Sequence, residues 1–220
     1  MTTENEQLKS KFRKNLSIAI QAGGKSSRMG QDKAVLELCG LSMIQRVVTQ
    51  VSDLADEVFV VSNEPQDLQN LGFPIFGDLL PVRGALSGFY TAFASAETEF
   101  VAMLACDMPF ASDAIFTRCY QIMLETEADV VMPKSGEYLF EPLHAVYRCE
   151  PCKQAVLKAI DQGQHRLISW LENVRVVFLG PEECKRLDPS GLAFFNLNTR
   201  DDFNKAIALI KQEQNKNQPG

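Results

Sequence analysis

The sequence predicts one α/β domain with helices on both faces of a mostly parallel sheet. Short apolar runs at Leu16–Ile20 and Phe100–Ala105 have the length and near-continuous hydrophobicity of strands buried on both faces. Segments with helical spacing separate them, and strand, helix, strand in that order calls for a right-handed parallel crossover. The 220 residues carry no internal repeat, low-complexity tract or composition shift, which fits a single domain able to bury most of its apolar surface.

The first element, Leu16–Ile20, is rich in β-branched residues and breaks at Gly23-Gly24. Residues 25–33 (K-S-S-R-M-G-Q-D-K) then bring together Lys25, Arg28, Lys33, the hydroxyls of Ser26 and Ser27, and a third glycine, Gly30. Glycine lets backbone amides turn toward a ligand and approach it closely. Successive N–H groups in such a turn form a nest for anionic oxygens. The stretch therefore reads as a triphosphate-holding loop. It is not a P-loop, because G-x-x-x-x-G-K-[ST] would need its first glycine at Ala19, and G-x-G-x-x-G has no match either.

A-G-G-K-S-S-R-M-G-Q-D-K closely resembles the signature of the molybdenum cofactor guanylyltransferases, the MobA family, written L-A-G-G-x-S-x-R-M-G-x-D-K. Nucleotidyltransferases for sugars, methylerythritol and molybdopterin cytidylylation carry variants of the loop, and Asp32-Lys33 points to the guanylyl branch. One departure is Gln21, which stands where the family usually has an apolar residue. The resemblance covers nearly the whole chain. It implies a Rossmann-like three-layer sandwich, nucleotide-diphospho-sugar transferase-like, over residues 16–210; the polar residues 1–15 read as an N-terminal extension and the polar residues 211–220 as a disordered tail. It further implies GTP as donor, the terminal phosphate of molybdopterin as acceptor, Mg²⁺ as cofactor, and molybdoenzyme-maturation proteins as partners.

The next elements follow in order. Ala34–Leu38 reads as a short extended piece ending at Cys39-Gly40, and Ser42–Ser52 as an amphipathic helix burying Ile44, Val47, Val48 and Val51. Glu57–Ser62 is the second buried strand and Phe73–Phe76 a third, ended by Gly77-Asp78. Gly84-Ala85-Leu86-Ser87-Gly88 matches the family's G-P-L-A-G-like segment and opens a helix reaching Ala96, whose first turn offers unpaired amides to an anion. After the central strand Phe100–Ala105 comes Cys106-Asp107-Met108-Pro109, the family's C-D-x-P. A lone Asp after a strand is more often a turn or cap residue. Here the strand, the proline and the motif favour a metal ligand at the carboxyl end of a parallel strand.

Ser112-Asp113 caps a helix carrying Ile115, Cys119, Ile122 and Met123 inward, and Ala128–Met132 is a further strand. Glu141–Tyr147 resembles the family's acceptor-side strand; its His144 either touches substrate or is a hydrogen-bonded structural residue, the commoner outcome. Cys149–Gln162 and His165–Glu172 read as helices, and Arg166 either reaches a phosphate or is a solvated surface cation, the commoner outcome. Val174–Leu179 is the last strand, and Pro181–Gly191 a polar run. In F-F-N-L-N-T-R-D-D-F (194–203), Thr199 and Asp202 have capping spacing, and Asn196 and Asn198 alternate along one strand face, toward the cleft or bracing the turn.

Carried over by resemblance, Gln21, Ala22, Gly23 and Gly24 meet the nucleoside, with Asn63, Asp78 and Gly84 as further nucleotide contacts. Lys33 meets phosphates, Lys25 and Arg28 hold the pyrophosphate end, and Asp107 holds Mg²⁺. Asn196 and Asn198 are further candidate binding residues toward the cleft. These parts suit attack on the α-phosphorus of a nucleoside triphosphate, with Lys25, Arg28, Lys33 and Asp107 as the catalytic set. Two other readings stay open. One is a cytidylyl- or sugar-phosphate nucleotidyltransferase on the same fold; the other is a non-catalytic nucleotide or molybdopterin carrier.

The formal net charge of −6 argues against nucleic acid or an anionic membrane as partner, so the cation cluster points to one small anionic ligand. No apolar stretch reaches the roughly 18 residues that span a bilayer, and residues 1–15 lack an apolar signal core, so a cytoplasmic protein is expected. The six cysteines, Cys149-x-x-Cys152 among them, read as thiols rather than disulfides or a metal pair.

Overall fold

The computed structural model describes residues 14–23, 33–68, 71–82, 84–137 and 139–216. Gly24, Lys25 and Arg28, with the rest of the loop up to Asp32, lie outside the described residues, as do residues 1–13 and 217–220 of the expected extension and tail.

Strand β1 (Leu16–Gln21) leads, after a 3₁₀ turn at Lys33–Val35, into a hairpin of β2 (Glu37–Leu38) and β3 (Leu41–Ser42). Both hairpin-turn residues, Cys39 and Gly40, have positive φ (53° and 84°), the twist that a two-residue hairpin demands. Helix α1 (Met43–Val51) starts in a capping box: Gln45 N–H donates to Ser42 Oγ, and Ser42 N–H donates back to Gln45 Oε1 at 2.9 Å. Then follow β4 (Glu57–Val61), β5 (Ile75–Phe76), α2 (Ala85–Ser95), β6 (Phe100–Ala105), α3 (Asp113–Thr126), β7 (Val130–Pro133), β8 (His144–Arg148), α4 (Cys149–Asp161), β9 (Val176–Leu179), α5 (Pro181–Leu187) and α6 (Arg200–Lys216).

Seven strands form one sheet in the order β5-β4-β1-β6-β8-β7-β9, with only β8 running against its neighbours. From β1 the chain builds outward through β4 to β5, then returns to place β6 on the other side. The reversal falls between β1 and β6, and in such sheets the crevice at the reversal is where ligands bind. One face packs Leu16, Ile18 and Ile20 against α1 and α3 (Ile44, Val47, Ile115, Cys119). The other packs Ala19, Phe59 and Met103 against α2 and α4, with Phe89, Phe93, Tyr147 and Trp170 in edge-on and tilted ring contact. This is the expected three-layer sandwich with a mostly parallel sheet. Among the described residues no helix is long and apolar enough to cross a membrane, and all six cysteines are thiols.

Several expectations need correcting. The segment 165–172 is a series of turns ending in a 3₁₀ piece (Leu171–Asn173), because side chains take up the turn carbonyls: Ser169 Oγ donates to Arg166 O and Trp170 Nε1 to Leu167 O. The polar run 181–191 contains helix α5, with Pro181 at its first turn, Glu182 and Glu183 at its positive end, and Lys185 and Arg186 at its negative end. The disordered tail expected from 211 is helical as far as Lys216. Its Lys, Gln and Glu are good helix formers, and the turns before it are anchored by buried Ala206 and Ile210. The piece from Ala34 is not extended at its start, and Asn196 and Asn198 do not lie on a strand.

His144 is fully buried, stacked on Phe116 at 4.1 Å and edge-on to Phe194 at 5.2 Å, with Nε2 3.4 Å from Ser112 O. It is structural. Burial pushes its pKa down to about 4, against the opposing pull of the Ser112 and Ala193 carbonyls and Asp188. The unfolded chain therefore takes up a proton near its ordinary pKa of about 6.5, while the folded chain waits until about 4. Stability should fall as pH drops through that window, by on the order of 3 kcal/mol from this group alone. Urea midpoints at pH 4.5 and 7 should differ markedly in the native protein and much less in His144→Phe.

Candidate active site

The crevice between β1 and β6 is closed at the backbone by Cys106 N–H donating to Gln21 O at 3.0 Å, while Ala22 N–H donates to Val61 O on the β4 side. The three central parallel strands thus end together, and their outgoing loops share one rim. Gln21 is half-buried at the end of β1, Ala22 is buried, and a Cβ at Gly23 would meet nothing within 4 Å. Lys33 follows in the 3₁₀ turn on the far side of the glycine loop.

On the β4 side, Asn63 and Asp78 are joined by a two-way clasp. Asn63 Nδ2 donates to Asp78 Oδ2 at 2.7 Å, and Asp78 N–H donates to Asn63 Oδ1 at 2.8 Å. The clasp fixes the carboxylate at the mouth of the β4 and β5 loops. Leu79 N–H donates to Thr91 Oγ1 on α2, which ties the same loop to the helix. Gly84 caps α2 with φ 140°, a conformation that glycine adopts without strain, and a Cβ there would meet nothing within 4 Å among the described residues.

On the β6 side, Asp107 is half-buried directly after the strand, and its carbonyl accepts from Leu197 N–H at 2.9 Å. That bond draws the segment 194–198 alongside the Asp107 loop. Leu197 is buried between Asn196, whose Nδ2 donates to Phe194 O, and Asn198, which is exposed. Asp202 Oδ2 accepts from Asn198 N–H, Thr199 N–H and Thr199 Oγ1, so an Asp completes the cap that opens α6. These bonds hold the Asp202 carboxyl below its ordinary pKa. Leu197 also packs with Leu38, Met43, Ala206 and Ile210, so the hairpin after the glycine loop and the asparagine segment share one apolar cluster under α6.

The structure therefore brings Gln21, Ala22, Gly23, Asn63, Asp78, Gly84, Asp107, Asn196 and Asn198 to one end of the sheet. His144 is withdrawn into the core, and Arg166 is exposed on the turns after α4. One group at the rim escaped the sequence, Thr91, which holds the Asp78 loop; Gly88, already in the motif segment, turns out to lie under the Gln21 side chain. Among the described residues no three His, Cys, Asp or Glu side chains gather as a metal site, so a metal here would rest on a carboxylate and its substrate.

The MobA-like NTP transferase domain matches residues 18–176. The chain is 34% identical to the probable molybdenum cofactor guanylyltransferase of Natranaerobius thermophilus, over 87% of this chain and 95% of that one. It is 33% identical to the molybdenum cofactor guanylyltransferase of Desulfosudis oleivorans, over 87% and 94%. Its fold superposes on molybdopterin-guanine dinucleotide biosynthesis protein A from Archaeoglobus fulgidus with a TM-score of 0.77 at 26% identity, over 89% and 99%. A methylerythritol cytidylyltransferase from Thermus thermophilus shares the fold at 17% identity and a TM-score of 0.65, over 90% and 99%. With the glycine loop, the shared strand ends and these matches together, the chain belongs to the family of MobA-like NTP transferase domains and is a nucleotidyltransferase.

Proposed function

We infer that the protein transfers GMP from GTP to the terminal phosphate of molybdenum-loaded molybdopterin, releasing pyrophosphate and forming the guanine dinucleotide cofactor. The observation that carries this reading is the bond from Leu197 N–H to Asp107 O. It holds the segment bearing Asn196 and Asn198, to which this proposal assigns the acceptor, against the loop bearing the Asp107 carboxylate.

The barrier to such a transfer lies in bringing two polyanions together and stabilising the added charge of the transition state. Lys25, Arg28 and Lys33 supply positive charge for the triphosphate; a positioned donor of this kind is worth about 10²–10³ in rate. Asn63, Asp78 and Gly84 hold the nucleoside end, and Asn196 and Asn198 hold the acceptor. Asp107 is a hard oxygen ligand at a half-exposed strand end, which fits Mg²⁺, an ion commonly held by one or two carboxylates plus substrate phosphates. Bound there, the ion would neutralise phosphate charge. A phosphate nucleophile, second pKa about 6, is already largely ionised at neutral pH, so no side chain need act as general base. Hand-over of the product to molybdoenzyme-maturation proteins completes the proposal.

The direct test supplies GTP, Mg²⁺ and molybdenum-loaded molybdopterin and measures pyrophosphate release and dinucleotide formation. Binding without turnover would make the protein a carrier, and a larger thermal shift with CTP than with GTP would make it a cytidylyltransferase. Asp107→Ala should lower Mg²⁺-dependent turnover by at least about 10²-fold while melting stays cooperative, because the bond to Leu197 uses the backbone carbonyl that alanine keeps. Asn63→Leu removes both bonds of the clasp at an exposed site. Calorimetry should show GTP binding weakened about tenfold, with the melting temperature within a few degrees of the native value.

A further inference from the structure

Lys33 stands in a 3₁₀ turn, Lys33–Val35, that leads into the β2–β3 hairpin. Among the described residues the two hairpin strands pair with each other and neither joins the seven-stranded sheet. The far foot of the glycine loop therefore takes its place from whatever holds the hairpin. The hairpin turn is strained: Cys39 has φ 53°, in the left-handed region that few residues other than glycine adopt without cost. Just before it, Met43 N–H donates to Leu36 O at 2.9 Å, and Leu38 is buried with Met43 and Leu197. Arg46, half-buried on α1, grips the turn itself. Its Nη2 donates to Leu38 O at 2.8 Å and to Cys39 O at 3.4 Å. Bonds from an ionised donor are about twice as strong as neutral ones. The Nε of the same guanidinium is buried with no partner among the described residues, a cost that these two bonds must offset. Helix α1 is a firm anchor, because its Ile44 and Val47 are fully buried in one cluster with Leu16, Ile18 and Ile20 of β1. Arg46 thus ties a strained turn, set apart from the main sheet, to the core of the domain.

We propose that Arg46 is a positioning residue for the phosphate-holding loop: by clamping the hairpin turn it sets the backbone from which Lys33 meets the triphosphate. The inference rests on the nucleotidyl-transfer reading above and deepens it. Arg46 acts through the hairpin rather than on substrate, so its removal matters only while Lys33 is there to be placed. A cation that touched phosphate itself would contribute whether or not Lys33 were present. A side chain that served only the stability of the fold would lower the melting temperature without a specific link to Lys33. The clamp is also replaceable in principle, since a turn that holds its own shape would not need one.

Calorimetric binding of inorganic tripolyphosphate with Mg²⁺, measured through a double-mutant cycle, tests this. Arg46→Met should melt cooperatively and bind tripolyphosphate about tenfold more weakly than the native protein. In a Lys33→Ala background the same substitution should change the affinity by less than about twofold. Arg46→Lys, which keeps the charge and a donor for Leu38 O, should recover most of the loss. Adding Cys39→Asn to Arg46→Met should do the same, because Asn-Gly is the pair that a two-residue hairpin turn prefers. Arg46→Gln, which keeps one donor, runs the same cycle if Arg46→Met does not fold. A loss of equal size with and without Lys33, no loss at all, or failure of both rescues overturns the proposal and leaves the transfer reading standing. A native protein that binds neither tripolyphosphate nor GTP overturns both.

Discussion

Two backbone hydrogen bonds set the working end of this molecule: Cys106 N–H to the carbonyl of Gln21, and Leu197 N–H to the carbonyl of Asp107. The first pins the ends of β1 and β6 together where the strand order reverses. The second pulls in a segment some ninety residues further along the chain. Neither depends on a side chain, so the backbone at the rim keeps its shape whatever side chains it carries. That independence matters in a site for two polyanions, where the charged groups must meet substrate rather than one another.

Behind the rim, the two faces of the sheet differ in what they steady. The face with α1 and α3 mixes aliphatic side chains with Phe100, Phe116 and Tyr120, and His144 is buried against Phe116 and Phe194. The face with α2 and α4 is aromatic, and Tyr147 and Trp170 each satisfy their polar atom within it, on Pro142 O and Leu167 O. One buried polar residue of the sheet is accommodated away from the crevice. Ser17, fully buried, is hydrogen-bonded to Glu57 and Thr98 at the opposite ends of the strands.

Much of the architecture was legible because buried parallel strands are short, apolar and nearly uninterrupted. Leu16–Gln21 and Phe100–Ala105 advertise themselves, as do the caps at Ser42 and Ser112. The family signature marked out the glycine loop, most of which lies outside the described residues, and Asp107 stands directly after its strand. What stayed hidden was non-local or depended on competition between weak local preferences. The Asn63–Asp78 clasp joins residues 15 apart, and the Leu197–Asp107 bond is longer still in sequence. Nothing in H-R-L-I-S-W-L-E warns that serine and tryptophan side chains will take the carbonyls a helix needs. A polar stretch such as Pro181–Leu187 becomes a helix through its end charges and a single buried cysteine, Cys184. The reversed direction of β8 likewise has no signature in its own residues.

Trp170 is the chain's one indole, and its surroundings make it informative. Its ring lies 6.3 Å from Phe89, the residue immediately after Gly88, and 5.9 Å from Phe93 one turn further along the same helix. Fluorescence from that indole therefore senses the helix that borders the crevice, although the fluorophore itself sits in the interior with no route to a bound molecule. A displacement of that helix would therefore register in the emission through these rings.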